Sequence, residues 1–215
     1  MGKFTGLAKE QSRALGRLKL VPGIERFYLA GGTAVAVHLR HRRSLDLDLF
    51  SMSADIDLAT LTEAVRVVVP DLQVISITDA ALRVRVGDVP VDIVRYPYGL
   101  LDVPVPGPEA FPTAGLRDLA AMKLAAIARR GLRRDFWDLY ALAEGGLSLR
   151  DAAAAYVAKF GVSEADLYHV LRSLTFFVDA EKDPIYPRGL TAAKWERMKR
   201  FFLAEAPELL TDERK

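Results

Sequence analysis

The sequence predicts an α+β fold: a small mixed β-sheet with flanking helices, followed by a helical C-terminal part. Three observations predict it. All runs of strand length with apolar or alternating character fall before Tyr96. The stretch from Tyr96 to Pro112 is rich in proline and glycine and reads as a connector. Beyond it every periodic segment has helical spacing, and strands followed by a run of helices mark an α+β chain. The expected organisation is an α/β core over residues 1–98 and a helical domain over 99–215 that packs on the core and completes its site.

Taken in order, the first helix is expected from Leu7 to Leu18, ending before Pro22. "RFYLA" reads as a short strand. "TAVAVHLR" follows a glycine pair and reads as a helix, with Thr33 as its N-cap. "SLDLDLF" alternates at period two, so Leu45, Leu47 and Leu49 are expected to be buried on one face. "DLATLTEAVRVVV" is a helix stopped by Pro70, and "LQVISI", "ALRVRVG" and "VPVDIVRY" are three further strands. After the connector come five helical segments, the last being "TAAKWERMKRFFLAEA".

A chain of 215 residues, about half of them hydrophobic, can bury a core without staples. It has no cysteine, which excludes disulfides and cysteine metal sites and fits a reducing cytoplasm. The polar N-terminal stretch lacks a signal-peptide core, and no apolar run approaches the roughly 20 residues of a membrane span. Net charge is only +2, yet positive charge is clustered in "HLRHRR", "ARRGLRR" and "KWERMKR". Such blocks attract phosphates or are solvated helix ends.

The densest chemistry lies between Tyr28 and Phe50. Gly31 and Gly32 lack a Cβ, so the backbone can turn and approach a ligand closely. A helix starting at Thr33 would aim its free N–H groups at that turn, an arrangement that binds phosphate. Asp46 and Asp48 share the strand face opposite the leucines, roughly 6.5–7 Å apart along the strand. Two carboxylates so placed suit magnesium, which favours carboxylate oxygens plus substrate phosphates. Asp92 stands inside an apolar strand run, where a lone carboxylate is costly. It is either a third ligand and proton acceptor facing Asp46 and Asp48, or the partner of Arg83, Arg85 or Arg95.

In the helical half, Lys123 falls within the apolar stripe Leu116, Leu119, Ala120, Ile127. It either snorkels to solvent or meets an anion, a triphosphate being one candidate. Asp135 opens the next helix, where the dipole favours acid, and is a candidate to orient Lys123 or an arginine. Phe136, Trp137 and Tyr140 read as core. The histidines show no metal-ligand spacing, and His41 is a further candidate for phosphate contact.

"YLAGGTAVAVHLRHRRSLDLDLF", "VPVDIVRY" and "MKLAAIARRGLRRDFWDLYAL", in that order, resemble the AbiEii/AbiGii-type nucleotidyltransferases of the DNA polymerase β-like superfamily, over roughly Phe27 to Leu142. The resemblance implies a nucleotidyltransferase core and metal-dependent transfer of a nucleoside monophosphate from an NTP to an acceptor. Many family members are toxins of toxin–antitoxin or phage-defence pairs, and some modify the acceptor end of tRNA. By this likeness Gly31, Gly32 and Thr33 hold the triphosphate, and Asp46 and Asp48 hold Mg2+ (or Mn2+). Lys123 contacts phosphate, Asp135 belongs to a helical motif needed for activity, and Asp92 matches the third carboxylate.

The expected function is NMP transfer to RNA, tRNA foremost. Arg42, Arg43, Arg130 and Arg133 are the candidate RNA contacts. The expected partners are an NTP, the RNA acceptor and a cognate antitoxin, with no membrane. The alternatives are transfer to a protein or small-molecule hydroxyl, or a non-catalytic module that binds nucleotide or a partner. The short tail after Leu142, where larger relatives carry more, leaves the acceptor open.

Overall fold

The computed structural model describes residues 7–212. They form two compact units that divide between Gly115 and Leu116.

The first unit is built on a mixed sheet, seven-stranded among the described residues. Its strands are β1 (Tyr28–Leu29), β2 (Leu47–Ser51), β3 (Leu72–Ile77), β4 (Ala81–Val86), β5 (Val89–Arg95), β6 (Val105–Pro106) and β7 (Pro112–Thr113). They lie in the order β3-β4-β5-β2-β1-β7-β6. The strands β3, β4 and β5 form an antiparallel meander. β5 then pairs parallel with β2, which pairs antiparallel with β1. The period-two pattern is realised as read: Leu47 and Leu49 of β2, Leu82 and Val84 of β4, and Val91 and Ile93 of β5 are fully buried on one face. That leaves the alternate residues, Asp48 and Asp92 among them, on the other.

Among the described residues three α-helices belong to this unit: α1 (Lys9–Leu18), α2 (Gly31–Leu39) and α3 (Leu58–Val68). Ala14, Leu15 and Leu18 of α1 and Leu58, Leu61 and Val65 of α3 recur at helical spacing and are buried. Asp57 caps α3, its carboxylate accepting the Ala59 N–H at 2.9 Å.

Three sequence expectations change here. Leu45 is 79% exposed, because β2 begins only at Leu47. Thr33 is not the N-cap of α2, since the helix begins at Gly31 with Ala30 in the cap position. The connector is not wholly irregular: β6 and β7 close a hairpin within it. Two-residue strands containing proline carry no periodic signal. The hairpin depends on Gly107, where a Cβ would lie 1.9 Å from Thr113 Oγ1.

The second unit is helical: α4 (Leu116–Arg130), α5 (Arg133–Glu144), α6 (Leu149–Phe160), α7 (Glu164–Ser173), α8 (Val178–Lys182) and α9 (Ala192–Asp212). Ser148 and Asp151 form a capping box on α6, and Ser163 and Asp166 another on α7. Phe136 is fully buried within 5.2 Å of the Phe177 ring, 5.4 Å of Phe202 and 5.9 Å of Trp195, and Trp137 and Tyr140 are buried too, so these residues are core as expected. The short helix α8 was not anticipated. Nor was the length of α9, which runs through Pro207, a residue that removes one helical hydrogen bond. Ala206 and Leu209 on either side are buried, and that packing carries the helix across the proline. No helix among the described residues is long and apolar enough to cross a membrane.

Candidate active site

The sheet face opposite the leucines carries the first cluster. β2 and β5 run parallel with Asp48 directly opposite Asp92, and both side chains are half-buried. On the other side of β5, Arg83 of β4 is paired with Asp92 in register, its Nε 3.6 Å from the carboxylate. The side chains of Arg83 and Asp92 are 62% and 41% exposed, so this contact is worth little to stability. Asp92 therefore has both neighbours that the sequence left open: a carboxylate on one side and an arginine on the other.

Asp46 precedes β2 by one residue, and its backbone carbonyl is gripped twice. Thr33 Oγ1 donates to it at 2.5 Å and Gln11 Nε2 at 2.9 Å. Its carboxylate accepts Ser44 Oγ at 2.9 Å. The fully buried Thr33 side chain thus ties α2 to the entry of β2. Its backbone N–H, with those of Gly31 and Gly32, belongs to the first helical turn, whose donors have no acceptor within the helix.

Gly31 has φ +62°, and a Cβ placed on it would lie 1.8 Å from Asp48 Oδ2. Only glycine permits that backbone conformation together with that approach. The missing side chain lets the positive end of α2 come against the Asp48 carboxylate. Glycine turn and aspartates therefore meet on one surface of the first unit.

The second unit holds a separate charged cluster. Lys123 Nζ donates to Asp135 Oδ1 at 3.0 Å and pairs with Asp138 Oδ2 at 2.7 Å. The lysine side chain is 6% exposed and the two aspartates 0%. Arg130 adds two hydrogen bonds to Asp135, from Nε at 2.8 Å and Nη2 at 3.0 Å. Burial pushes the Asp135 carboxyl up, but the charge of Lys123 and the Arg130 hydrogen bonds outweigh it and hold the group below its ordinary value. Lys123 does not snorkel; its anions are protein carboxylates. Asp138 escaped the sequence reading as a partner, although it lies one helical turn beyond Asp135.

The four candidate RNA arginines separate. Arg43 is exposed, and Arg130 is shared between solvent and Asp135. Arg42 is buried, its Nη1 donating to the Arg43 carbonyl at 3.0 Å. Arg133 differs from expectation: it is 8% exposed and donates to the carbonyls of Asp183 at 2.6 Å and Glu181 at 2.8 Å, with Tyr186 stacked on it. Those bonds fasten α5 to the end of α8.

No group of three or more His, Asp or Glu among the described residues is placed to hold a metal ion by itself. Magnesium does not need one: it is held by one or two carboxylates with substrate phosphates supplying the rest. The hard oxygen donors of Asp48 and Asp92, opposite one another and next to a helix N-terminus made for phosphate, fit such an ion.

A mixed sheet that sets a glycine-led helix beside two strand carboxylates is the framework of a nucleotidyltransferase. The sequence model of the family described as nucleotidyl transferase AbiEii toxin, type IV TA system, matches residues 13–213, and the chain belongs to that family. Membership implies an NTP donor and an antitoxin partner. An uncharacterized protein of Aquifex aeolicus (strain VF5), aq_aa25, is 29% identical over 207 residues, covering 95% of this chain and 98% of that one. Among solved structures, the fold is similar to MenT4, the nucleotidyltransferase toxin Rv2826c of Mycobacterium tuberculosis H37Rv, with TM-score 0.54 and 18% identity over 94% of this chain and 85% of that one. JHP933 from Helicobacter pylori is similar with TM-score 0.51 and 18% identity over 96% and 94%.

Proposed function

We propose that this protein transfers a nucleoside monophosphate from an NTP to the hydroxyl of an RNA, tRNA foremost, as the toxin of its pair. The observation that carries the reading is the rung Asp48–Asp92 with Gly31 set against Asp48. The N–H groups of Gly31, Gly32 and Thr33 receive the triphosphate. Asp48 and Asp92 would hold Mg2+ or Mn2+, with substrate phosphates supplying the other oxygens, and the ion when bound would neutralise charge on the phosphates. Asp92 takes the proton from the attacking hydroxyl. The acceptor oxygen bonds to the α-phosphorus, the bond from that phosphorus to the bridging oxygen breaks, and pyrophosphate leaves with the electron pair. In the helical unit Lys123, Asp135 and Asp138 would form the motif needed for activity, acting through one another and not on the phosphate. Arg43 and Arg130 guide the RNA backbone by charge.

The test is incubation of the protein with each labelled NTP, magnesium and total RNA, followed by RNase or protease. Label that appears with wild type, vanishes with Asp48→Asn and is released by RNase supports the reading. Label released only by protease moves the acceptor to a protein. Absence of label with every NTP refutes transfer.

A further inference from the structure

The face that carries Asp48 and Asp92 does not end with them. Two residues along β2 from Asp48 stands Phe50, and four residues from Asp92, one past the end of β5, stands Tyr96. Two residues advance a strand by roughly 6.5–7 Å and return to the same face. The Phe50 and Tyr96 rings meet at 5.0 Å between centroids, tilted by 40°. Beyond Arg95 the chain turns tightly, the Tyr98 N–H donating to the Tyr96 carbonyl at 2.7 Å. That turn lays Tyr98 against Tyr96, with centroids 4.9 Å apart. A ladder of three rings thus begins two residues from the acidic pair and ends in a ring that is 39% exposed.

We propose that this ladder is a stacking platform for the unpaired terminal base of the RNA acceptor. The inference rests on the transfer reading above and adds a subsite to it. Three observations select the occupant. Phe50 follows Asp48 by two residues, roughly 6.5–7 Å along the strand, an offset that suits a nucleotide, whose ribose separates phosphate from base. Tyr96 and Tyr98 continue β5, the strand whose Asp92 would receive the acceptor's proton, so the platform belongs to the acceptor side. On the same face β4 presents Arg83 and Arg85, both exposed, which give a nucleic acid backbone cationic partners and offer nothing to an apolar peptide. Stacking on aromatic rings tolerates any base, because every base has a π-face.

The test uses the full chain and a short RNA ending in an unpaired 2-aminopurine, alongside the same RNA with an abasic terminus. Wild type should quench the 2-aminopurine and bind the intact end about 10- to 100-fold more tightly than the abasic one, the range expected for one stacked base. Tyr98→Ala should bind both ends alike, at the abasic level, while Tyr98→Trp restores the difference. Label transfer to RNA together with equal affinity for intact and abasic ends overturns the platform and leaves the transfer reading standing. RNA that neither binds nor accepts label overturns both. A Tyr98→Ala variant that loses NTP affinity and keeps its preference for the intact end overturns the assignment to the acceptor.

Discussion

Gly31 and Asp48 are held so close that a methyl group on the glycine would overlap the carboxylate, 1.8 Å from Oδ2. Gly31→Ala should therefore displace Asp48 and pay for a left-handed backbone, the latter costing about 1–2 kcal/mol. Gly87 supplies the control. It has φ +59° in the turn between β4 and β5, with nothing within 4 Å of its would-be Cβ. Both alanine variants should melt earlier by circular dichroism, Gly31→Ala by more because its methyl must also displace Asp48. Only Gly31→Ala should lose NTP binding by calorimetry and label transfer. Equal transfer by the two variants would remove the contact from the argument.

Asp92 is caught between two descriptions, and stability against activity separates them. An exposed pair such as Arg83–Asp92 contributes at most about 1 kcal/mol. Asp92→Asn should hence unfold within about 1 kcal/mol of wild type by urea titration. Its transfer rate should fall about 100-fold or more, the usual contribution of a positioned proton acceptor. Arg83→Gln should match it in stability and keep the rate of the chemical step at saturating RNA, losing only RNA affinity.

The Lys123 cluster makes the opposite demand. Removing one partner of a buried ion pair strands the other, at a cost of about 3–5 kcal/mol, so Lys123→Met should be strongly destabilised in urea. Asp135 adds a pH dependence. Its carboxyl is held below the ordinary value in the folded state. That stabilisation is complete above the unfolded-state pKa of about 3.9 and drains away as pH falls through the lower folded value. Acid titration of wild type should show it as a loss of stability below about pH 4. Lys123→Met should show a smaller component, because Arg130 alone then opposes the effect of burial.

A second buried pair tests the same physics without a proposed catalytic role. Lys159 Nζ lies 2.7 Å from Asp118 Oδ1, and both side chains are 0% exposed. Asp118→Asn alone should cost about 3–5 kcal/mol, while an apolar replacement of both residues at matched volume should be near neutral or stabilising. Denaturant midpoints of the single and double variants decide it.

The arginines provide the last contrast. Arg43→Gln should weaken RNA binding and reduce the slope of log affinity against log salt by about one. Arg133→Gln should leave that slope alone and lower the melting temperature, because its guanidinium bonds to the backbone of Asp183 and Glu181.

Much of this was legible in the sequence, for reasons that also mark where legibility stops. Alternation exposed β2, β4 and β5, because Leu47, Leu82 and Val91 must face a core while Asp48, Arg83 and Asp92 must not. The pairing of Asp92 with β2 could be imagined but not read, since parallel register across more than forty residues is fixed by the folded sheet. Short elements carried too few residues to show a period, which hid β6, β7 and α8. Thr33 has the residue type of an N-cap, yet its hydroxyl is drawn to the Asp46 carbonyl, a contact between distant segments that overrides the local preference. Lys159 and Asp118, 41 residues apart, were invisible for the same reason. Lys123 was legible as an anomaly in an apolar stripe, whereas its second carboxylate was not.

The parallel joining of β2 to β5 has a consequence for synthesis. The glycine turn and the first two aspartates leave the ribosome early, but Asp92 reaches Asp48 only after the hairpin made by β3, β4 and β5 has been completed. A translation product cut short before β5 would carry both of the earlier motifs and lack the Asp48–Asp92 rung. In a member of a toxin family, the proposed transfer would thus wait on the last of its carboxylates to be synthesised.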